Sequence, residues 1–268
     1  MKPNIFFKTP KCAGTSILKA LEDCGVYYPN FPTHEIQDNG FCVVRYYVGG
    51  DDLSENAFGG RECVMKKEWE GDFEANAYLW TVVRNPYERI VSCWFDSRRR
   101  GYFSERHSFR DFVTFVCAVK NVQTPKGAME ISRMSSLLCD CPEPGVAVLY
   151  GGKGGCECYF GILSHAMPWG HSWLMTGDTT LASSSLPKVF ADTYPRNFSR
   201  IIRFENLHED FDRLCKDLEI TASLPHTNRR VQESDHYTAY YEGTPDLIPL
   251  VENIYQYEFA AFGYRFGD

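Results

Sequence analysis

No stretch of this 268-residue chain approaches the roughly 18 apolar residues that a membrane-spanning helix needs. No secretory leader precedes Ile5, where an apolar segment begins almost at once, so the expected compartment is the cytoplasm. Positive charge is short as well. The 28 Lys and Arg are outnumbered by 35 Asp and Glu, for a formal charge of −7. That balance argues against a nucleic-acid partner, and against any other long polyanion. It favours a neutral or cationic partner. No Ser/Gly/Pro linker, low-complexity run or internal repeat divides the sequence, so one domain over residues 1–268 is expected. The Cys-x-x-Cys pairs of most zinc sites are missing. So is the Gly-x-x-x-x-Gly-Lys-Ser/Thr loop of the nucleotide triphosphatases.

What is present suits an α/β protein. Hydrophobic residues make up 44% and aromatics 15%, ample for a core. Short apolar runs at 5–7, 41–48, 63–67, 79–83 and 200–204 read as strands. Helical patterns fall between or after them at 15–24, 87–99, 109–119, 128–138, 210–218 and 246–262, the last ending at Gly263. Strands alternating with helices predict a mainly parallel central sheet flanked by helices on both faces.

Two of these strand-to-helix junctions carry chemistry. Ile5 to Ile17 reads Ile-Phe-Phe-Lys-Thr-Pro-Lys-Cys-Ala-Gly-Thr-Ser-Ile: a strand, a Pro/Gly turn with a lysine, then hydroxyl residues opening a helix. Unpaired N–H groups and the helix dipole make such a terminus a natural anion site. Lys11 adds a point charge, Gly14 admits a close backbone approach, and Thr15 and Ser16 supply hydroxyl donors. Tyr78 to Phe95 repeats the pattern, with Arg84 at the strand's carboxyl end, a turn at Asn85-Pro86, and Ser92 about two helical turns on.

Together the two segments resemble the sulfotransferases that use 3′-phosphoadenosine 5′-phosphosulfate (PAPS). Lys11-Cys12-Ala13-Gly14-Thr15-Ser16 is similar to that family's 5′-phosphosulfate loop, and Arg84-Asn85-Pro86 through Ser92 to its 3′-phosphate element. Ile201-Ile202-Arg203-Phe204-Glu205-Asn206-Leu207 resembles a later strand of the membrane-type and carbohydrate branch. Ala13 stands where that branch commonly has a second glycine. The resemblance implies a single P-loop-like domain with the sulfotransferase fold. It implies that Lys11 binds the 5′-phosphate and the bridging oxygen, with Cys12, Ala13, Gly14, Thr15 and Ser16 around the same phosphate. Arg84 and Ser92 then hold the 3′-phosphate, helped by Arg229 or Arg230 from a covering loop. His34, or failing it Glu35, sits where the family keeps its catalytic base, and no metal is required for the transfer. The acceptor is a carbohydrate, or a small molecule with a hydroxyl or amine, and the product is 3′,5′-ADP. Because the family's Golgi members carry an N-terminal anchor, the Golgi lumen is the alternative compartment if such an anchor precedes this chain.

Other features stay open on the sequence. Cys139, Cys141, Cys156 and Cys158 lie in a Cys/Gly-rich stretch around 139–175 that reads as an insertion. They are candidates for a structural zinc, for disulfides, or for thiols. Cys24, Cys42, Cys63, Cys93, Cys117 and Cys215 stand singly in apolar contexts and read as small buried hydrophobes. Trp80, Trp94, Trp169 and Trp173 fit either the core or a stacking role against adenine or substrate. Arg98-Arg99-Arg100 is either a basic groove or a solvated helix end. Two rival functions remain: a small-molecule kinase on a related loop, and a protein that binds the nucleotide without turning it over.

Overall fold

Asn4–Lys8, with Ile5, Phe6 and Phe7 all buried, is strand β1 of the computed structural model, which describes residues 4–29, 37–45, 77–99, 103, 106–120, 166, 198–225 and 236–268. Strands β2 (Phe41–Arg45), β3 (Tyr78–Val83) and β4 (Arg200–Arg203) join it in one parallel sheet of order β2-β1-β3-β4. Helices α1 (Gly14–Asp23), α2 (Pro86–Arg99), α3 (Phe109–Lys120), α4 (Leu207–Asp217), α5 (Leu247–Ile254) and α6 (Gln256–Phe262) are the α-helices described by range. Single 3₁₀ turns lie at Phe204–Asn206 and Tyr237–Tyr240. The described residues form two compact units: the four strands with α1 and α4, and α2, α3, α5 and α6.

In the first unit, register fixes which side chains share a face. Phe6 lies level with Val43 and with Trp80, and Val82 lies level with Ile202. This row packs on Ile17, Leu18 and Leu21 of α1 and on Phe211 and Leu214 of α4. Burying each such side chain contributes about 1.5–3 kcal/mol. Phe6 and Trp80 stack at 4.1 Å between centroids, and the indole N–H donates to Asn4 Oδ1 at 2.7 Å. Trp80 is thus a core residue, not a platform for adenine. The other face of the central strands, Ile5, Phe7, Leu79, Thr81 and Val83, is buried as well. Burial on both faces is why β1 and β3 read as continuous apolar runs instead of alternating ones.

At the sheet's amino edge, the Tyr78 hydroxyl donates to Asp217 at 2.6 Å, and Arg200 pairs with the same carboxylate. This ties the starts of β3 and β4 to the end of α4. The two helices of this unit end alike. Past α1, Val26 N–H bonds Leu21 O and Gly25 N–H bonds Glu22 O, with Gly25 at φ 74°. Past α4, Ile220 bonds Cys215 and Glu219 bonds Lys216, but the left-handed position is Glu219 at φ 55°. Both are Schellman closures, and only the first has the residue that pays no steric penalty there.

In the second unit, Asn85 caps α2: its Oδ1 accepts from Tyr87 N–H at 3.1 Å, and Pro86 takes the first helical position. The Asn-Pro turn therefore belongs to the helix start, one residue earlier than the pattern suggests. Ile90, Val91, Phe112, Val113, Leu247, Val251 and Ile254 share one core with Trp94, so the second tryptophan is also a core residue. Arg89 and Glu258 form an ion pair inside this unit at 3.7 Å, and the Arg89 guanidinium sits 4.6 Å from the Tyr255 ring centroid. At the end of α2, Arg98 lies over the Trp94 ring and Arg99 pairs with Asp96, so these two arginines are engaged within the unit.

The expected single helix over 246–262 is two helices joined at Tyr255. Tyr255 N–H still bonds Val251 O, and its carbonyl still accepts from Phe259 N–H, but φ −110° and ψ 30° kink the axis. The cause is tertiary. Tyr255 is fully buried and its hydroxyl donates to the Ala166 carbonyl. Helix α4 begins at Leu207, three residues before the expected start, and β4 stops at Arg203. The expected strand at 63–67, the helix at 128–138 and nearly all of the 139–175 stretch lie outside the described residues. Of the single cysteines, Cys93 and Cys215 are buried and Cys24 and Cys117 half-buried. Among the described residues no helix is long and apolar enough to cross a membrane, and no group of three or more His, Cys, Asp or Glu is placed to hold a metal.

Candidate functional site

Strand order points to a candidate site. From β1 the chain goes to β2 on one side, then to β3 on the other side of β1. The connections leaving the carboxyl ends of β1 and β3 diverge from neighbouring strands, and in open parallel sheets such a switch point is where ligands bind. The two connections that meet there begin at Thr9 and at Arg84.

The strand ends are locked together by hydroxyls. Thr81 Oγ1 donates to the Phe7 carbonyl at 2.9 Å and lies 3.1 Å from Thr9 Oγ1. With its proton given to Phe7, Thr81 is the acceptor and Thr9 the donor. Both residues are buried, so the base of the β1 connection is held to β3 in a water-poor setting. Neither hydroxyl stands out in the sequence. The signal, in retrospect, is a threonine inside the otherwise apolar run Leu-Trp-Thr-Val-Val.

Beyond Thr9 the loop takes an unusual path. Lys11 has φ 61° and Ala13 has φ 56°, both left-handed and neither a glycine. Each costs on the order of 1–2 kcal/mol over the right-handed form. Left-handed Ala13 followed by helical Gly14 turns successive N–H groups to one side, the concave arrangement that suits an anion. Gly14 has a second reason to lack a side chain. A Cβ there would lie 2.7 Å from both Cγ and Cε of Lys8, whose stem crosses the helix start. Cys12 is buried, its thiol directed to the Pro10 carbonyl at 3.4 Å, so it is part of the loop's frame.

Helix α1 opens without the usual compensation. Its N-cap, Ala13, has no side-chain oxygen to offer, and its first turn carries no acidic residue. The positive end of the dipole therefore adds to the charge of Lys11, which is half-buried. Thr15 is exposed and Ser16 buried in the same turn. This donor set fits an anionic group of phosphate type.

Arg84 joins the loop to the rest of the unit. It is buried, and its Nη1 donates to the Lys11 carbonyl at 3.0 Å. Its guanidinium lies 4.1 Å over the Phe204 ring. Phe204 begins the 3₁₀ turn after β4, where Asp210 accepts from Arg203 N–H at 3.0 Å and shapes the bend. Lys11, Arg84 and Phe204 thus come together, one from each of the three stretches that carry the sulfotransferase resemblance. Phe204 escaped sequence reasoning because its contact with residue 84 spans β3 and β4. Ser92 is a buried residue of α2, in the second unit. His34, Glu35, Arg229, Arg230, Cys139, Cys141, Cys156 and Cys158 lie outside the described residues. The chain matches no family model, no curated protein and no solved structure.

Proposed function

We propose that this chain is a sulfotransferase, moving the sulfuryl group of PAPS to a hydroxyl or amine of a carbohydrate or small-molecule acceptor and releasing 3′,5′-ADP. One observation carries the reading. Arg84 bonds the Lys11 carbonyl and stacks on Phe204, beside a helix N-terminus that has neither cap nor acid. That is a phosphate-type site assembled from the three resembling stretches. The finer fold reading, a P-loop-like sulfotransferase domain, rests on the same loop and on the parallel sheet behind it.

PAPS supplies a sulfuryl group already activated on a phosphate. Lys11 and the first-turn N–H groups of α1 bind the 5′-phosphate and neutralise the charge that grows on it during transfer. Thr15 and Ser16 orient it with hydroxyl donors. Arg84 and Ser92 are the groups that the resemblance assigns to the 3′-phosphate, with Arg229 or Arg230 as a further candidate. His34 takes the acceptor's proton, with Glu35 as second candidate. Cytoplasmic residence and a structural zinc on the four clustered cysteines are part of the same proposal.

The test is nucleotide selectivity. Thermal stability should rise with 3′,5′-ADP, by about 2.7 kcal/mol at a hundredfold excess over Kd, and much less with ADP. Equal shifts from the two would leave a kinase-like or general phosphate site. Sulfate transfer to sugar, phenol and amine panels separates an enzyme from a binder without turnover.

A further inference from the structure

We infer that Arg84 works as a positioning residue for the phosphate loop, setting the Lys11 peptide through its bond to the Lys11 carbonyl and its stacking on Phe204. The inference rests on the PAPS reading for its purpose, and on geometry alone for its substance. Three facts point the same way. Lys11 occupies a left-handed conformation that its own side chain disfavours. A charge-assisted hydrogen bond from Arg84 holds the carbonyl of that very residue. The guanidinium plane in turn lies on Phe204, so its orientation is set from the end of β4. Lysine cannot replace this device, because an ammonium has no plane to stack and no fixed donor fork. Arg84 therefore controls the grip on the 5′-phosphate, through Lys11, and not only the 3′-phosphate that the resemblance assigns to it.

The two roles predict different patterns with two probes, AMP and 3′,5′-ADP, which share the 5′-phosphate and differ in the 3′-phosphate. Arg84→Ala, Arg84→Lys and Phe204→Leu should each weaken AMP about ten- to a hundredfold, at a temperature where every variant is folded, and 3′,5′-ADP by at least that factor. For Phe204→Leu, which leaves the Arg84 charge in place, the ratio of the two affinities should stay at the wild-type value. If Arg84→Ala leaves AMP binding intact and erases only the preference for 3′,5′-ADP, the inference is wrong and Arg84 acts on the 3′-phosphate alone. Amide hydrogen exchange gives a reading that needs no nucleotide. The three variants should speed exchange across residues 9–16 while Phe6 and Trp80 stay as protected as in the wild type. Unchanged exchange in the loop overturns the inference too. A wild-type protein that binds neither probe, with loop exchange still responding to Arg84→Ala, would discard the PAPS reading and keep the brace.

Discussion

Replacing Thr81 by valine keeps its shape and removes one hydroxyl, so the outcome reads the hydrogen-bond chain Thr9–Thr81–Phe7 directly. In the wild type Thr9 donates to Thr81 at 3.1 Å and Thr81 donates to the Phe7 carbonyl at 2.9 Å. Thr81→Val strips the buried Thr9 hydroxyl of its acceptor, at about 1–3 kcal/mol, and loses the bond to Phe7, at about 0.5–1.5 kcal/mol. The expected loss is about 2–4 kcal/mol. Thr9→Val removes a donor without stranding one, and should cost only about 1 kcal/mol. The double variant strands no donor, so it should be more stable than Thr81→Val alone. Urea unfolding of the four proteins measures this, and at about 2–4 °C per kcal/mol the melting temperatures should rank the same way. Two results would refute the argument: additive losses, or a Thr81→Val protein no weaker than Thr9→Val. Either would mean that the strand ends are not joined by this relay.

Four further outcomes follow from the same structure. The Tyr78 hydroxyl, and then Arg200, hold the Asp217 carboxyl below its usual range. Its stabilisation is therefore complete above the unfolded value of about 3.9 and fades as pH falls through the folded one, so Asp217→Asn should lose stability near neutrality and much less in acid. Glu219→Gly should gain up to about 1 kcal/mol, because a left-handed helix end favours glycine; a loss in urea unfolding would contradict that. Glu258→Gln leaves Arg89 buried without its counter-charge and should cost about 3–5 kcal/mol by the same assay, against a small effect if the pair were solvated. If Cys139, Cys141, Cys156 and Cys158 bind zinc, elemental analysis should find about one equivalent and chelation should destabilise the protein; a metal-free protein of full stability removes the site.

The sheet was legible in the sequence because burial on both faces writes itself as uninterrupted apolar runs, as in Ile5 to Phe7 and Leu79 to Val83. The opening of α2 was legible for a local reason: Asn85 and Pro86 are the residues that a helix start selects. The unread features depend on partners far along the chain. Nothing near Tyr255 announces a kink, since the pull comes from Ala166 and Arg89. Left-handed Lys11 and Ala13 were invisible because that conformation is ordinarily the mark of glycine. The site divides in the same way. The Lys11 loop and Arg84 stand out by residue type, whereas the bond joining them, and the ring beneath Arg84, exist only once β1, β3 and β4 lie side by side.

That side-by-side order has a consequence for how the chain is made. Strand β3 ends at Val83, but its neighbour β4 begins only at Arg200. A nascent chain emerging from the ribosome displays one bare flank of β3, with its unpaired N–H and C=O groups, until β4 arrives. Helices α2 and α3 are synthesised during that interval. A sheet closed so late has slow, non-local pairing, and its open flank invites another copy to dock there. Fragments cut short of residue 198 should therefore clump more readily than the 268-residue chain. In such fragments the Arg84 guanidinium that holds the Lys11 carbonyl would lack the ring it lies on, because Phe204 arrives with β4.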